Sequence, residues 1–99
     1  MPGRTLWTVP KRNRLLYEID LHGLTVDEAL FKVDQYLYDT YQMGLREISI
    51  VHGKGTGTLR SAVRNYIGTH PLVRSYRRGG DNEGGDGVTI VELQGRRKK

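Results

Sequence analysis

Residues 15–52 hold the pattern that most limits the architecture: a strand, a helix and a second strand with only short connections between them. Leu15, Tyr17, Ile19 and Leu21 alternate with Leu16, Glu18, Asp20 and His22, which predicts a strand over 15–22 ended by Gly23. Thr25-Val-Asp-Glu28 reads as a capping box, with Thr25 at the N-cap and Glu28 at N3. Asp27 and Glu28 also suit the positive end of a helix dipole. Val26, Ala29, Leu30, Val33, Leu37 and Tyr41 recur at helical spacing, and Gly44 supplies a C-terminal stop. Residues 46–52 form a second strand rich in β-branched side chains. Two strands joined through such a helix make a parallel crossover, right-handed by the twist of strands.

A second helix follows the glycine-rich segment Gly53-Lys-Gly-Thr-Gly57. Leu59, Ala62, Val63, Tyr66 and Ile67 lie on one face, Thr56 or Thr58 serves as N-cap, Gly68 closes the helix and Pro71 prevents its return. Residues 72–78 and 87–93 read as third and fourth strands, and the Gly- and Asp-rich segment between them suits a mobile hairpin connection. The order β-α-β-α-β-β predicts an α/β fold, a two-layer α/β sandwich on a four-stranded mixed sheet. The domain is expected over 15–94, with a flexible basic tail or linker end at 1–14 and a basic tail at 95–99. Trp7 either packs on the domain or marks the end of something upstream.

Composition excludes several classes. With no cysteine in 99 residues there is no disulfide framework, no thiolate zinc site and no thiol nucleophile. No apolar run approaches the roughly 18 residues of a membrane span, and the N-terminus lacks a signal-peptide core, so a soluble cytoplasmic protein with no membrane partner is expected. Charge is unevenly spread. Residues 15–47 carry seven acids and two bases, and 81–95 carry four acids and no base. Between them, 48–80 hold Lys54, Arg60, Arg64, Arg74, Arg77 and Arg78 without one acid. A basic face inside an acidic body draws polyanions; the alternative is uneven surface charge on an ordinary domain.

Three groups could carry chemistry. Asp20 and His22 are two apart on a strand, so they share a face with Cα atoms roughly 7 Å apart, at the carboxyl end where open sheets gather ligands. His52 ends the second strand beside them. An Asp can orient a His that moves a proton near neutral pH, which makes Asp20, His22 and His52 the candidate catalytic set. The other reading is that Asp20 caps the turn and His22 is an exposed loop residue.

The second group is the glycine segment, placed where a helix N-terminus favours an anion. It is neither a P-loop nor a dinucleotide fingerprint: Gly55 follows Gly53-Lys54, and Thr58 stands where the last glycine would be. Arg60 in the first helical turn opposes the helix dipole by roughly 0.3–1 kcal/mol, a penalty that a bound phosphate reverses. A tight glycine turn is the competing reading. Gly53, Lys54, Gly55, Thr56, Gly57, Arg60 and Arg64 are therefore candidate nucleic-acid contacts.

Third, Tyr76 among Arg74, Arg77 and Arg78 can stack on a base while the arginines hold phosphates; solvated arginines on a strand explain the same residues. Asp81, Glu83 and Asp86 suit either a metal or a disordered acidic loop, His70 ends a helix, and Tyr36, Tyr38 and Tyr41 read as helix packing.

Ile-Asp-Leu-His-Gly-Leu-Thr at 19–25, His-Gly-Lys-Gly-Thr-Gly-Thr-Leu-Arg at 52–60, His-Pro-Leu-Val-Arg-Ser-Tyr at 70–76 and Gly-Val-Thr-Ile-Val-Glu-Leu at 87–93 resemble the Smr (small MutS-related) domain. Within that family the chain is most similar to the C-terminal domain of bacterial MutS type 2 proteins. It departs from many of those in carrying His22 where they have arginine, the form common in stand-alone Smr proteins. The resemblance implies a fold like the C-terminal domain of translation initiation factor three and an endonuclease that nicks or cleaves DNA or RNA. It assigns roles to Asp20 and His22 as one motif and to His52, Gly53, Lys54 and Gly55 as another. It also implies a setting in recombination and repair or in rescue of stalled ribosomes. A full-length parent would add an ATPase and a dimer outside this segment. No cofactor is certain; a divalent metal remains open, with Asp20 alone a thin magnesium site.

Overall fold

A computed structural model of the chain describes residues 17–95. The expected tail at 1–14, the first two residues of the 15–22 strand and residues 96–99 lie outside the described residues. The elements come in the expected order: β1 (Tyr17–Asp20), α1 (Val26–Gln42), β2 (Glu47–Val51), α2 (Thr58–Gly68), β3 (Val73–Arg78) and β4 (Val88–Leu93). β1 stops earlier than its alternation suggests because Asp20 Oδ1 accepts the His22 backbone N–H at 2.9 Å and turns the chain. Leu21 still pairs, donating its N–H to the Val51 carbonyl at 2.8 Å.

The sheet order is β1-β2-β4-β3, with β1 parallel to β2 and β4 antiparallel to both neighbours. The last strand therefore lies inside the sheet. Its composition suits that place: every residue of Val88–Leu93 except Glu92 is buried. β3, with three arginines and only Val73 half-buried, forms an edge, where charge guards against unwanted pairing. Both helices cover one face. Ile19, Leu21, Ile48, Ile50, Val91 and Leu93 meet Ala29, Val33, Tyr36 and Leu37 of α1 and Val63 and Ile67 of α2. Each such aliphatic side chain stabilises the fold by about 1.5–3 kcal/mol.

α1 is capped at both ends by its own sequence. Thr25 Oγ1 accepts the Glu28 N–H at 3.2 Å and Glu28 Oε1 accepts the Thr25 N–H at 3.0 Å. At the other end Gly44 (φ +80°) donates to the Tyr41 carbonyl and Leu45 to the Thr40 carbonyl, a Schellman closure. The three tyrosines separate: Tyr36 is in the core, Tyr41 is half-buried and Tyr38 is exposed.

Two expectations are corrected. The β3–β4 connection is a folded element, not a mobile loop. It forms two single-turn 3-10 helices, Asp81–Glu83 and Gly85–Gly87. Glu83 accepts the Gly80 N–H at 2.8 Å and a bidentate pair from Arg77 at 2.8 and 3.1 Å, so this acid is a structural clamp.

His70 does more than end a helix. Its Nδ1 accepts the Leu72 N–H at 3.1 Å, which leaves the proton on Nε2 to donate to Asp34 Oδ1 at 2.9 Å. The Tyr66 hydroxyl donates to the same oxygen at 2.6 Å, and the Tyr38 and Tyr66 rings stand edge-on to the imidazole. The bonds from Tyr66 and His70 hold the Asp34 carboxyl below its ordinary range. Burial, reinforced by Asp34, pushes the Tyr66 phenol up to about 12.

Candidate nucleic-acid interface

Both strand-to-helix connections open on the same rim, at the carboxyl ends of the parallel pair. Between them is a cleft of ≈ 330 Å³. Leu24, Thr25 and Val26 form one wall; residues 52–60, the glycine segment and the first turn of α2, form the other. Asp20 and His22 lie on the same rim, just before the first wall, and are not part of the lining.

The glycine segment departs from the expected capping. The N-cap of α2 is Gly57 in the left-handed region (φ +90°), without a side-chain cap, and Thr58 is the first helical residue. Thr56 caps from one position earlier, its Oγ1 accepting the Thr58 N–H at 3.3 Å. A Cβ at Gly57 would stand 2.8 Å from Arg60 Nη2, because the guanidinium folds back over this residue. No acid lies in the first turn of α2, so the positive end of its dipole faces the cleft without an internal counter-charge on the helix.

The segment is fastened by the neighbouring β4. The Gly87 carbonyl accepts both the His52 N–H (3.0 Å) and the Gly53 N–H (2.9 Å). His52, expected to face the cleft as a proton-transfer group, is buried with both ring nitrogens engaged. Nδ1 is 3.0 Å from the Gly53 carbonyl and Nε2 is 2.8 Å from Thr89 Oγ1. Burial pushes the imidazole below its ordinary value; the Gly53 bond opposes that, and Arg64 and Arg60 add to the lowering. Asp20 likewise holds the backbone of His22, and among the described residues no hydrogen bond reaches the His22 imidazole. The exposed His22 ring thus stands at the rim unoriented by its neighbour.

The candidate cations divide. Lys54 is exposed on the cleft wall. Arg60 also lines the cleft but forms an ion pair with Asp86 at 2.9 Å. Arg64 donates Nε to Thr89 Oγ1 at 2.9 Å, and its Nη2 is buried without a hydrogen-bond partner. Arg78 sits opposite Thr89 in the register and Tyr76 opposite Val91, so both are on the helix-covered face. Arg77, opposite Ile90, points to the other face, where Glu83 and Glu47 surround it. The alternation of β3 thus removes Arg77 from the cleft side, and Tyr76 packs beside Gly68 of α2. Gly87 and Thr89 were missed by sequence reasoning. Their signal, a glycine and a threonine opening an otherwise apolar strand, has meaning only once β4 is beside β2.

A family profile described as the Smr domain matches residues 19–94. The chain belongs to the Smr domain family. It is 57% identical over 76 residues to a protein of Caldicellulosiruptor saccharolyticus named Endonuclease MutS2, covering 77% of this chain. Over 77 residues it is 56% identical to the protein of that name from Clostridium beijerinckii. In both cases this Smr domain spans only about 10% of the relative's length. Its fold superposes on the crystal structure of the Smr domain of Thermus thermophilus MutS2 with a TM-score of 0.76 and 47% identity, covering 78% of this chain and 96% of that one. The stand-alone small MutS-related protein YdaL from Escherichia coli superposes at 0.74 with 26% identity, over 78% of this chain and 63% of that one. Among the described residues no group of three or more His, Asp or Glu side chains converges as a metal-binding set. No described helix is long and apolar enough to cross a membrane.

Proposed function

We propose that this Smr domain grips a backbone phosphate of DNA or RNA in the glycine-loop cleft and nicks or cleaves the strand there. The observation that carries the reading is the cleft itself: a helix N-terminus with a glycine N-cap and no acid in its first turn, glycines that admit close approach, and Lys54 on the wall. Lys54 supplies the exposed charge. Arg60 joins it when a phosphate displaces Asp86 from the guanidinium. His22, exposed at the rim, is the group that transfers the proton, and Asp20 fixes the turn that presents it. The names of the MutS2 relatives support the nuclease assignment. Recombination and repair or ribosome rescue are the settings in which such cleavage is used.

A second reading is a module of a larger MutS-like protein that binds nucleic acid or ribosome and cuts nothing. It is favoured by the Asp20 carboxylate engaging the His22 backbone, not its ring. Nicking of supercoiled DNA and cleavage of RNA, each with and without chelator, separate the two. His22→Ala is expected to lower the rate by about 10²–10⁴. Lys54→Ala is expected to weaken binding and to reduce the log–log salt slope by about 1. Full activity of His22→Ala rules out the catalytic assignment; salt-sensitive binding without product from either substrate establishes the second reading.

A further inference from the structure

The hydrogen-bond inventory around His52 closes in only one way for a neutral ring. The Gly53 carbonyl is purely an acceptor, so Nδ1, 3.0 Å away, must carry the proton. A neutral imidazole then has a bare Nε2, and its partner at 2.8 Å, the Thr89 hydroxyl, must donate. Thr89 is free to do so because its oxygen accepts from Arg64 Nε at 2.9 Å. A directed chain results: Arg64 to Thr89, Thr89 to His52, His52 to the Gly53 carbonyl. The Gly53 N–H is held by Gly87. Gly53 is thus fixed on both of its peptide groups, in a left-handed conformation (φ +82°), and that conformation sets the direction in which Lys54 and the rest of the segment leave β2.

We propose that Thr89 is the positioning residue of the glycine loop: through His52 it locks Gly53 and so aims the loop and Lys54 into the cleft. Thr89 is fully buried and absent from the cleft lining, so it acts through its neighbours and touches no ligand. The proposal rests on the reading of the cleft as a phosphate site, and it gives His52 the work of orienting the loop in place of proton transfer.

The test joins ring-nitrogen NMR of the whole chain to binding of fluorescein-labelled DNA and RNA oligonucleotides. In the wild type at neutral pH, long-range ¹H–¹⁵N correlations should show His52 protonated on Nδ1 and bare on Nε2. A ring protonated on Nε2, alone or together with Nδ1, overturns the proposal. Thr89→Val keeps the shape and removes the hydroxyl; it should leave the proton on Nδ1, move the Nε2 ¹⁵N resonance as that nitrogen loses its donor, and weaken oligonucleotide binding about tenfold, one buried hydrogen bond's worth. The salt slope should fall by less than in Lys54→Ala, because Lys54 is displaced and not removed. Thr89→Ser should restore the Nε2 resonance and the affinity. Wild-type binding by Thr89→Val, with binding weakened in Lys54→Ala, overturns the positioning role and leaves the phosphate site standing. Wild-type binding by both variants overturns the phosphate reading, and the positioning role with it. Should Thr89→Val fail to fold, the wild-type tautomer and the Thr89→Ser affinity decide the matter by the same criteria.

Discussion

The two strand-to-helix corners at the rim are built on opposite principles. The β1–α1 corner satisfies itself: Asp20 caps the turn, Thr25 and Glu28 cap each other's backbone, and Asp27 adds negative charge at the helix start. The β2–α2 corner has a left-handed glycine for an N-cap, no acid in its first turn, and an arginine folded over the cap. Its support comes from elsewhere in the chain, from Gly87, Thr89 and Asp86. A helix start that fills its own hydrogen bonds has nothing to offer a ligand. One that leaves them open, yet is held rigid from behind, presents N–H groups and a positive dipole to an anion at little reorganisation cost.

Several substitutions break or sharpen that contrast. The largest effect is expected at Gly57→Ala. A left-handed backbone costs a residue with a Cβ about 1–2 kcal/mol, and the new methyl meets Arg60 Nη2 at 2.8 Å. Urea denaturation should show the loss, and oligonucleotide anisotropy should show weaker binding. Next comes Glu28→Ala, which removes half of the capping box of α1 and should cost about 0.5–1 kcal/mol. Its oligonucleotide affinity should not fall; a loss as large as that of Gly57→Ala would show that the corners are not separate.

Smaller still is Asp86→Asn, which frees Arg60. An ion pair this exposed is worth about 0.5 kcal/mol, so affinity at low salt should rise by about twofold. Unchanged affinity would mean that Arg60 does not meet the phosphate.

The smallest effect lies at the other end of the helices, where Tyr66 and His70 hold the Asp34 carboxyl below its ordinary range. That stability is present above the unfolded carboxylate value and is lost as pH falls through the lowered folded value. Asp34→Asn should therefore flatten the acid limb of the stability curve below the ordinary carboxylate range, read by thermal melts.

Much of this was visible in the chain before any coordinates. Alternation over 15–22, the capping box at Thr25 and the β-branched run at 46–52 placed β1, α1 and β2 and required their parallel pairing, since each signal is local. The glycines between β2 and α2 lie in the wall of the cleft. Side-chain partners at the same site were not legible. His52 has the same spacing from Gly53 whether its ring points to solvent or into the sheet. Only β4, arriving 37 residues later to put Thr89 against Nε2, decides between them. Arg77 and Arg78 are neighbours in sequence, yet a strand sends them to opposite faces, and Glu83 neutralises one.

The sequence by itself determined where the four strands and two α-helices lie, how α1 begins and ends, and that β1 and β2 run parallel. Caps, turns and hydrophobic period act over a few residues and carry their own energetics. The tertiary structure decided that β4 enters between β2 and β3, that Glu83 and Asp86 fold back onto Arg77 and Arg60, and that the His52 ring is buried with both nitrogens engaged. Those outcomes depend on hydrogen bonds and ion pairs between residues far apart in the chain, whose partners are chosen by where the sheet places them.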